Sequence, residues 1–220
     1  MTDSRLPTGF REVAWLQGSG TQYCKTDICP VYDANNFTEI RGDFTALDAQ
    51  NSIFEIGTNW TASGSSYNYD CIFIYTNSLQ TGTYNSALIF DYGRSNNRTS
   101  VNLSNFVYPL DVHYELNRNT IVFNADTTTR TAPSTAQYST TKPLIIGGQW
   151  SGGSAIGVYN TQTRYKTFKI YNIDTLLYEV VPCYRTSDGK TGFMKITVAD
   201  GSTVFFPNEG EDEWIIGPIV

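Results

Sequence analysis

The densest group of residues that could do acid–base chemistry is an acidic stretch near the end of the chain. It holds Glu209, Glu211, Asp212 and Glu213 around Gly210. Glycosidases need two carboxylates at a fixed separation, one acting as acid and one as nucleophile or base. Strands provide that geometry at alternate positions, because such residues share one face of a sheet. The stretch surrounds Gly210 and is predicted to be a loop, which cannot hold two carboxylates at a fixed separation, so we interpret it as a solvated loop rather than a catalytic pair.

His113 is the single histidine of the chain, and a Ser–His–Asp triad would have to use it. It stands in the pentapeptide Asp111-Val-His-Tyr-Glu115. On a strand, His113 would share one face with Asp111 and Glu115, a pattern typical of a solvent-facing polar surface. We therefore predict no catalytic residue and expect that the protein is not an enzyme.

The four cysteines, Cys24, Cys29, Cys71 and Cys183, form no CxxC pair and have no neighbouring histidine. This pattern does not predict a zinc site, and free thiols are the first interpretation. A bridge between Cys24 and Cys29 is the alternative under oxidising conditions. We predict no cofactor and no metal ligand, and a calcium site built from scattered loop carboxylates stays open.

Aromatic and amide side chains are concentrated in two segments that we predict to be loops. One segment contains Asn59, Trp60, Tyr67 and Tyr69, and the other contains Trp150 and Tyr159. The rings of Trp and Tyr can stack on the C–H faces of sugars, while amides pair with the hydroxyls. These six residues are our candidate glycan-binding site. Alternatively, the two tryptophans cap the fold or pack against another subunit.

Composition and periodicity favour an all-β fold. The chain has 220 residues, fifteen Tyr, twelve Phe and only 16% charged residues. We predict strands at 12–17, 37–47, 52–58, 71–75, 87–92, 99–103, 111–117, 120–125, 144–148, 165–171, 176–181, 193–198 and 203–206. Within 37–47, Ile40, Phe44 and Ala46 alternate with polar residues, which predicts one buried and one wet face. Without a linker or repeat, we expect one domain over residues 1–220.

The net charge and the hydropathy of the chain argue against two classes of partner, nucleic acids and membranes. The net charge of −6 argues against nucleic acid as a partner, and no apolar run is long enough to insert in a membrane. The first seven residues, Met1 to Pro7, lack the apolar stretch of a secretory signal. From this we expect assembly in a host cytoplasm or, as the alternative, a location at the cell surface.

Several motifs near both ends of the chain resemble a known family. They are Gly20-Thr-Gln-Tyr23, Phe168-Lys-Ile-Tyr171, Val181-Pro-Cys-Tyr-Arg185, Gly192-Phe-Met194 and Trp214-Ile-Ile-Gly-Pro218. Together they resemble the concanavalin A-like lectin/glucanase domain (LamG-like jelly roll) found in phage and prophage structural proteins and in gut-bacterial surface proteins. The strand-borne Glu-x-Asp-x-Glu of glucanases on this fold is missing from the sequence.

This resemblance implies a fold and a set of functions. The fold would be an antiparallel two-sheet jelly-roll β-sandwich. The function would be that of a non-enzymatic virion module that decorates the head or tail of a phage, held by other virion proteins or copies of itself and adhering to glycans. A carbohydrate-binding, lectin-like adhesin of a bacterial surface is the alternative, and a glycoside hydrolase with an unrecognised site is a distant third.

Overall fold

The computed structural model describes the backbone over part of the chain. The described residues are 5–32, 35–47, 56–57, 60–63, 66–77, 87–94, 109–124, 126–129, 138–139, 143–151, 155–158 and 163–220. Side chains are described for 5–31, 35–47, 109–124, 143–148 and 163–220. All regular structure in these residues is β-strand, which confirms the predicted all-β class.

The strands of the first half of the chain are β1 (Phe10–Glu12), β2 (Leu16–Gln17), β3 (Cys24–Lys25), β4 (Val31–Tyr32), β5 (Thr38–Ala46), β6 (Ile56–Gly57), β7 (Trp60–Ser63), β8 (Ser66–Asn77), β9 (Ala87–Arg94) and β10 (Leu110–Leu116). Those of the second half are β11 (Thr120–Phe123), β12 (Asp126–Thr129), β13 (Tyr138–Ser139), β14 (Ile145–Ile146), β15 (Gly148–Ser151), β16 (Ala155–Val158), β17 (Thr163–Asn172), β18 (Thr175–Arg185), β19 (Thr191–Thr197), β20 (Thr203–Pro207) and β21 (Ile215–Ile216).

Most predicted strands that fall on described residues coincide with observed ones, and two are broken. The segment 12–17 is divided into β1 and β2 by an irregular turn at Ala14. The segment 144–148 is divided into β14 and β15 at Gly147, whose φ of 79° favours glycine. The predicted strand at 99–103 lies outside the described residues.

The large sheet is antiparallel throughout its described pairs. Its strands run in the order β12-β11-β10-β5-β17-β18-β19-β20, with β1, β2 and β21 joined at the sides of β17 and β18. The second sheet runs β3-β14-β6-β15-β7-β8-β9, and β16 pairs with β15. In it, β15 runs parallel to β6 and β7. The expectation of two antiparallel sheets is therefore confirmed for the large sheet and wrong for this part of the second one.

One hydrophobic cluster joins the two sheets in a sandwich-like arrangement. Ile40 and Phe44 of β5 pack in the same cluster as Cys24 of β3 and Ile146 of β14. The alternation predicted for β5 is confirmed on its apolar side, where Ile40 and Phe44 are fully buried. The polar side is drier than predicted, since Glu39 is only 3% exposed. The partners of Glu39 explain this, as described below.

Close backbone approach in the core depends on glycine at one point of β5. Gly42 lies opposite Phe168 of β17 and Tyr114 of β10. A Cβ placed at Gly42 would lie 2.6 Å from Phe168 Cβ and 2.9 Å from the Tyr114 hydroxyl oxygen. Glycine lets β5 pass between two aromatic neighbours at this point.

Candidate functional site

The sheet register brings together the aromatic positions that the sequence analysis selected. Trp60 of β7 pairs directly with Tyr69 of β8, and Tyr67 lies two positions from Tyr69 on the same strand. Residues opposed across antiparallel strands occupy one face of a sheet, as do residues two apart on a strand. Positions 60, 67 and 69 therefore share one face of the β7–β8 hairpin.

The second aromatic segment joins this hairpin through a neighbouring strand. Trp60 also pairs with Ser151 of β15, the residue after Trp150. Trp150 is one position along β15 from the partner of Trp60, which places position 150 on the opposite face of the sheet from positions 60, 67 and 69. We call Trp60, Tyr67, Tyr69 and Trp150 the aromatic strands. Asn59 and Tyr159 lie outside the described residues.

The expectation that these aromatics belong to loops is wrong for all four described positions. Trp60 and Ser63 bound β7, Tyr67 and Tyr69 lie inside β8, and Trp150 lies inside β15. The Gly- and Ser-rich composition suggested a loop, but alternating Tyr residues at 67 and 69 carry strand propensity. A sheet holds its residues in a more regular array than a loop does, so the candidate site has a more rigid scaffold than expected.

The solvent-facing side of the large sheet is a second candidate surface, because it carries many ionisable side chains. Its charged residues are Glu39, Arg41 and Asp43 on β5, Asp111, His113 and Glu115 on β10, and Arg164, Lys166 and Lys169 on β17. We call these nine residues the polar face. They meet in register, as in the row Lys169–Arg41–Glu115 across three strands. The central strand β5 thus places its polar side chains between cations of one neighbour and anions of the other.

His113 is the one imidazole of the polar face, and it is the group that a Ser–His–Asp triad would use as its base. Its Nδ1 lies 3.0 Å from Asp43 Oδ1, and its Nε2 lies 3.5 Å from Glu115 Oε1. A catalytic triad needs one ring nitrogen on a carboxylate and the other on a nucleophilic hydroxyl. Here both nitrogens face carboxylates, so His113 is not arranged as the base of such a triad. The predicted solvent exposure of His113 is confirmed, with 47% of its side chain exposed.

Two carboxylates of the polar face, those of Glu39 and Asp111, have cationic partners within it. Arg41 donates to Glu39 Oε2 at 2.8 Å, which keeps the buried carboxylate of Glu39 paired. Arg41 also donates to Asn117 at 2.9 Å and lies over the ring of Tyr171 at 4.3 Å. Lys166 donates to Asp111 at 2.8 Å and is the first cause of the lowered pKa of Asp111. Paired charges leave little net field to attract an ionic ligand.

The acidic stretch at 209–213 is the solvent-exposed loop that we predicted, and all four of its carboxylates are exposed. Glu213, with 44% of its side chain exposed, also makes specific contacts. It accepts hydrogen bonds from the backbone N–H of Thr191 at 2.9 Å and from the Thr191 hydroxyl, and pairs with Lys190 at 3.1 Å. Burial would raise the pKa of Glu213, but these contacts outweigh it and lower the pKa. Glu213 is therefore an anchor of the turn before buried Trp214.

Three of the four cysteines lie among the described side chains. Cys24 and Cys183 are buried and Cys29 is exposed, and all three are free thiols, so the alternative of a Cys24–Cys29 bridge is wrong here.

Among the described residues, no three His, Cys, Asp or Glu side chains are grouped to hold a metal ion. The same residues include no helix that could cross a membrane.

Comparisons with known proteins found no matching family model, no matching curated protein and no matching solved structure. The concanavalin A-like resemblance therefore depends on the sequence motifs alone and stays a prediction, as does the division into one domain.

Proposed function

We propose that this chain is a non-enzymatic module of a virion surface, in a phage head or tail, that adheres to glycans through the aromatic strands. The single observation that carries the glycan part is the register of the second sheet. It gathers positions 60, 67 and 69 on one hairpin face and sets Trp150 on the adjacent strand, at the opposite face. Aromatic residues that share one face of a sheet suit the stacking of sugar rings.

The fold proposed for this module is a concanavalin A-like jelly roll. A large antiparallel sheet that shares a core cluster with a second sheet supports this assignment. The parallel pairing of β15 is a departure from the antiparallel pattern of the proposed fold. The virion location rests on the family resemblance of the motifs alone, and the adhesin of a bacterial surface remains the alternative location for the same binding activity.

Polar and charged groups support a binding role more than a hydrolytic one. The carboxylates Asp43 and Glu115 flank His113, and Glu213 is held by Thr191 and Lys190. A retaining glycosidase needs two carboxyl groups about 5 Å apart with one poised to give a proton. The acids of the polar face are instead engaged with basic side chains, which suits a static surface.

A glycan array with the purified chain tests the binding activity. We expect Trp60→Ala to weaken binding about threefold to tenfold, because it removes an aromatic residue from the face shared with Tyr67 and Tyr69, and Trp150→Ala, on the opposite face, to weaken it less. Trp60→Phe is the matched control, since it keeps a ring, and should retain most of the binding. Tyr171→Ala on the polar face is the second control and should leave binding unchanged. Binding that survives both tryptophan-to-alanine changes would exclude the aromatic strands as the site.

Mass spectrometry and cryo-electron microscopy of purified particles test the virion location. The proposal expects the chain in the particle, with β7, β8 and β15 facing outward. A particle in which these strands are buried against other subunits would make the module structural and remove the glycan function. A chain found only free in lysed cells would overturn the virion location and leave the adhesin alternative.

A further inference from the structure

A small apolar cluster on the outer face of the large sheet is separate from the main core. Leu6, Val181, Cys183 and Met194 form it, and Phe10, Ile196 and Phe205 pack against it. The ring centroids of Phe10 and Phe205 lie 4.9 Å apart. Leu6 and Phe10 come from residues 5–12, which we call the N-terminal strap. The strap therefore supplies the cover of this cluster, and the sheet supplies its floor.

A short strand pairing and backbone hydrogen bonds attach the strap to the rest of the molecule. Its strand pairing is three residues long, from Phe10 opposite Arg185 to Glu12 opposite Cys183. The Thr186 backbone N–H and hydroxyl both donate to the Gly9 carbonyl, and the Val220 N–H donates to the Glu12 carbonyl at its far end.

The ionic contacts add little to this attachment. Arg5 pairs with Glu12 inside the strap itself, so that contact moves with it. Arg5 also pairs with Glu179 of β18 at 2.7 Å, but 41% of the Arg5 side chain is exposed. Exposed ion pairs contribute about 0–1 kcal/mol.

Each of the two buried thiols can serve as a probe for the opening of one cluster. Cys183 is fully buried in the cluster beneath the strap, directly opposite Glu12. Cys24 is equally buried, but it belongs to the main core, where it pairs with Ile146 of β14. Burial raises the pKa of Cys183 to about 12 and raises that of Cys24 as well. Alkylation requires the thiolate and access of the reagent to it. A buried thiol with a raised pKa provides neither until its cover moves.

We propose that the N-terminal strap opens as a unit while the main core stays folded, which uncovers the apolar strip of Val181, Cys183, Met194 and Phe205 together with the freed backbone edge of β18. Local opening of small, weakly attached units is a general property of folded proteins. In the open form, residues 183–185 of β18 lose their β1 partners beside the uncovered apolar side chains.

Time-resolved alkylation of the native protein, read for each cysteine by peptide mass spectrometry, tests the strap. We expect Cys183 to react at least about tenfold faster than Cys24, with each rate divided by its rate in denaturant. Arg5→Ala and Leu6→Ala should each speed the alkylation of Cys183 severalfold without changing that of Cys24. Lys166→Ala, which removes an exposed cation of the polar face, is the matched control and should change neither rate.

Hydrogen exchange provides a second measurement that does not depend on thiol chemistry. The proposal expects the amides of β1 to exchange before those of β19, which is paired with a strand on each side. Equal normalised rates for Cys183 and Cys24, together with exchange of β1 only at global unfolding, would overturn the proposal. If Leu6→Ala unfolds the whole chain, Cys24 will report it, and the order of exchange of β1 and β19 in the unchanged protein then decides the question.

Discussion

Asp43 and His113 lie directly opposite each other on β5 and β10, with Asp43 Oδ1 3.0 Å from His113 Nδ1. The two residues are 70 positions apart in the chain. About half of each side chain is exposed, at 53% for Asp43 and 47% for His113. Cross-strand pairs of this kind stabilise a sheet modestly, because water competes with the contact.

The first prediction concerns the energy of this pair. A double-mutant cycle of Asp43→Ala and His113→Ala should give a coupling energy below about 1 kcal/mol, since both groups are solvated. Urea unfolding of the four proteins at pH 7 measures it. A coupling of several kcal/mol would mean that the pair is shielded from water in solution.

The second prediction concerns a less exposed pair that ties the two sheets. Lys195 of β19 donates to both oxygens of Asp27, at 2.7 and 2.5 Å, and its Nζ lies 5.1 Å from the centre of the Tyr178 ring. Only 11% of the Lys195 side chain is exposed, against 49% for Asp27. Asp27→Asn should therefore destabilise the fold by about 1–2 kcal/mol, because it leaves a mostly buried ammonium without its counter-charge.

Matched variants separate charge from packing in that result. Lys195→Met keeps the aliphatic stem between Tyr178 and Phe206, and the double variant with Asp27→Asn should be more stable than Asp27→Asn alone. Asp111→Asn removes the acid from the exposed pair with Lys166 and should have a smaller effect than Asp27→Asn. Equal losses of unfolding free energy for Asp27→Asn and Asp111→Asn, measured by denaturant titration, would contradict the buried character of Lys195.

The third prediction concerns the close approach at Gly42. Gly42→Ala should destabilise the protein by about 1–3 kcal/mol or more, because a Cβ there would meet Phe168 Cβ at 2.6 Å. Tyr114→Phe in the same chain should not restore stability, since the Phe168 backbone also lies 3.1 Å from that Cβ. Thermal unfolding followed by circular dichroism measures both effects. A full rescue by Tyr114→Phe would assign the clash to the hydroxyl instead.

The fourth prediction concerns stability in acid. Glu213 has a pKa below its ordinary value of 4.5 in the folded protein. A carboxylate with a lowered folded pKa contributes stability that is complete above the unfolded pKa and is lost as the pH falls through the folded one. The free energy of unfolding should therefore drop below about pH 4.5, and Glu213→Gln should make this drop shallower. Glu211→Gln, at an exposed neighbouring position, is the control and should leave the slope unchanged.

The strands could be predicted from the sequence because the alternation of apolar and polar residues that marks a strand lies within a short stretch of chain. In β5, the spacing of Ile40, Phe44 and Ala46 predicts a strand with one buried face, and this strand forms in the structure. Side chains alternate sides at every residue of a strand, so a short window contains the whole signal. The segment at 12–17 was harder, since its break at Ala14 comes from pairing with distant partners, including the Pro218 carbonyl.

Tertiary structure alone decided which residues meet. Residue types selected Trp60, Tyr69 and Trp150, but the pairing of Trp60 with Tyr69 depends on the antiparallel register of β7 and β8. The position of Trp150 on the adjacent strand depends on the parallel pairing of β15 with β7. The partner of His113 depends in the same way on the register of β5 against β10, which placed Asp43 opposite it. Register and strand order are properties of long-range pairing, and a shift of one residue would move every side chain to the other face. The amino-acid sequence therefore determined the strands and the kinds of chemistry available, whereas the pairing of the sheets determined which of these residues lie side by side.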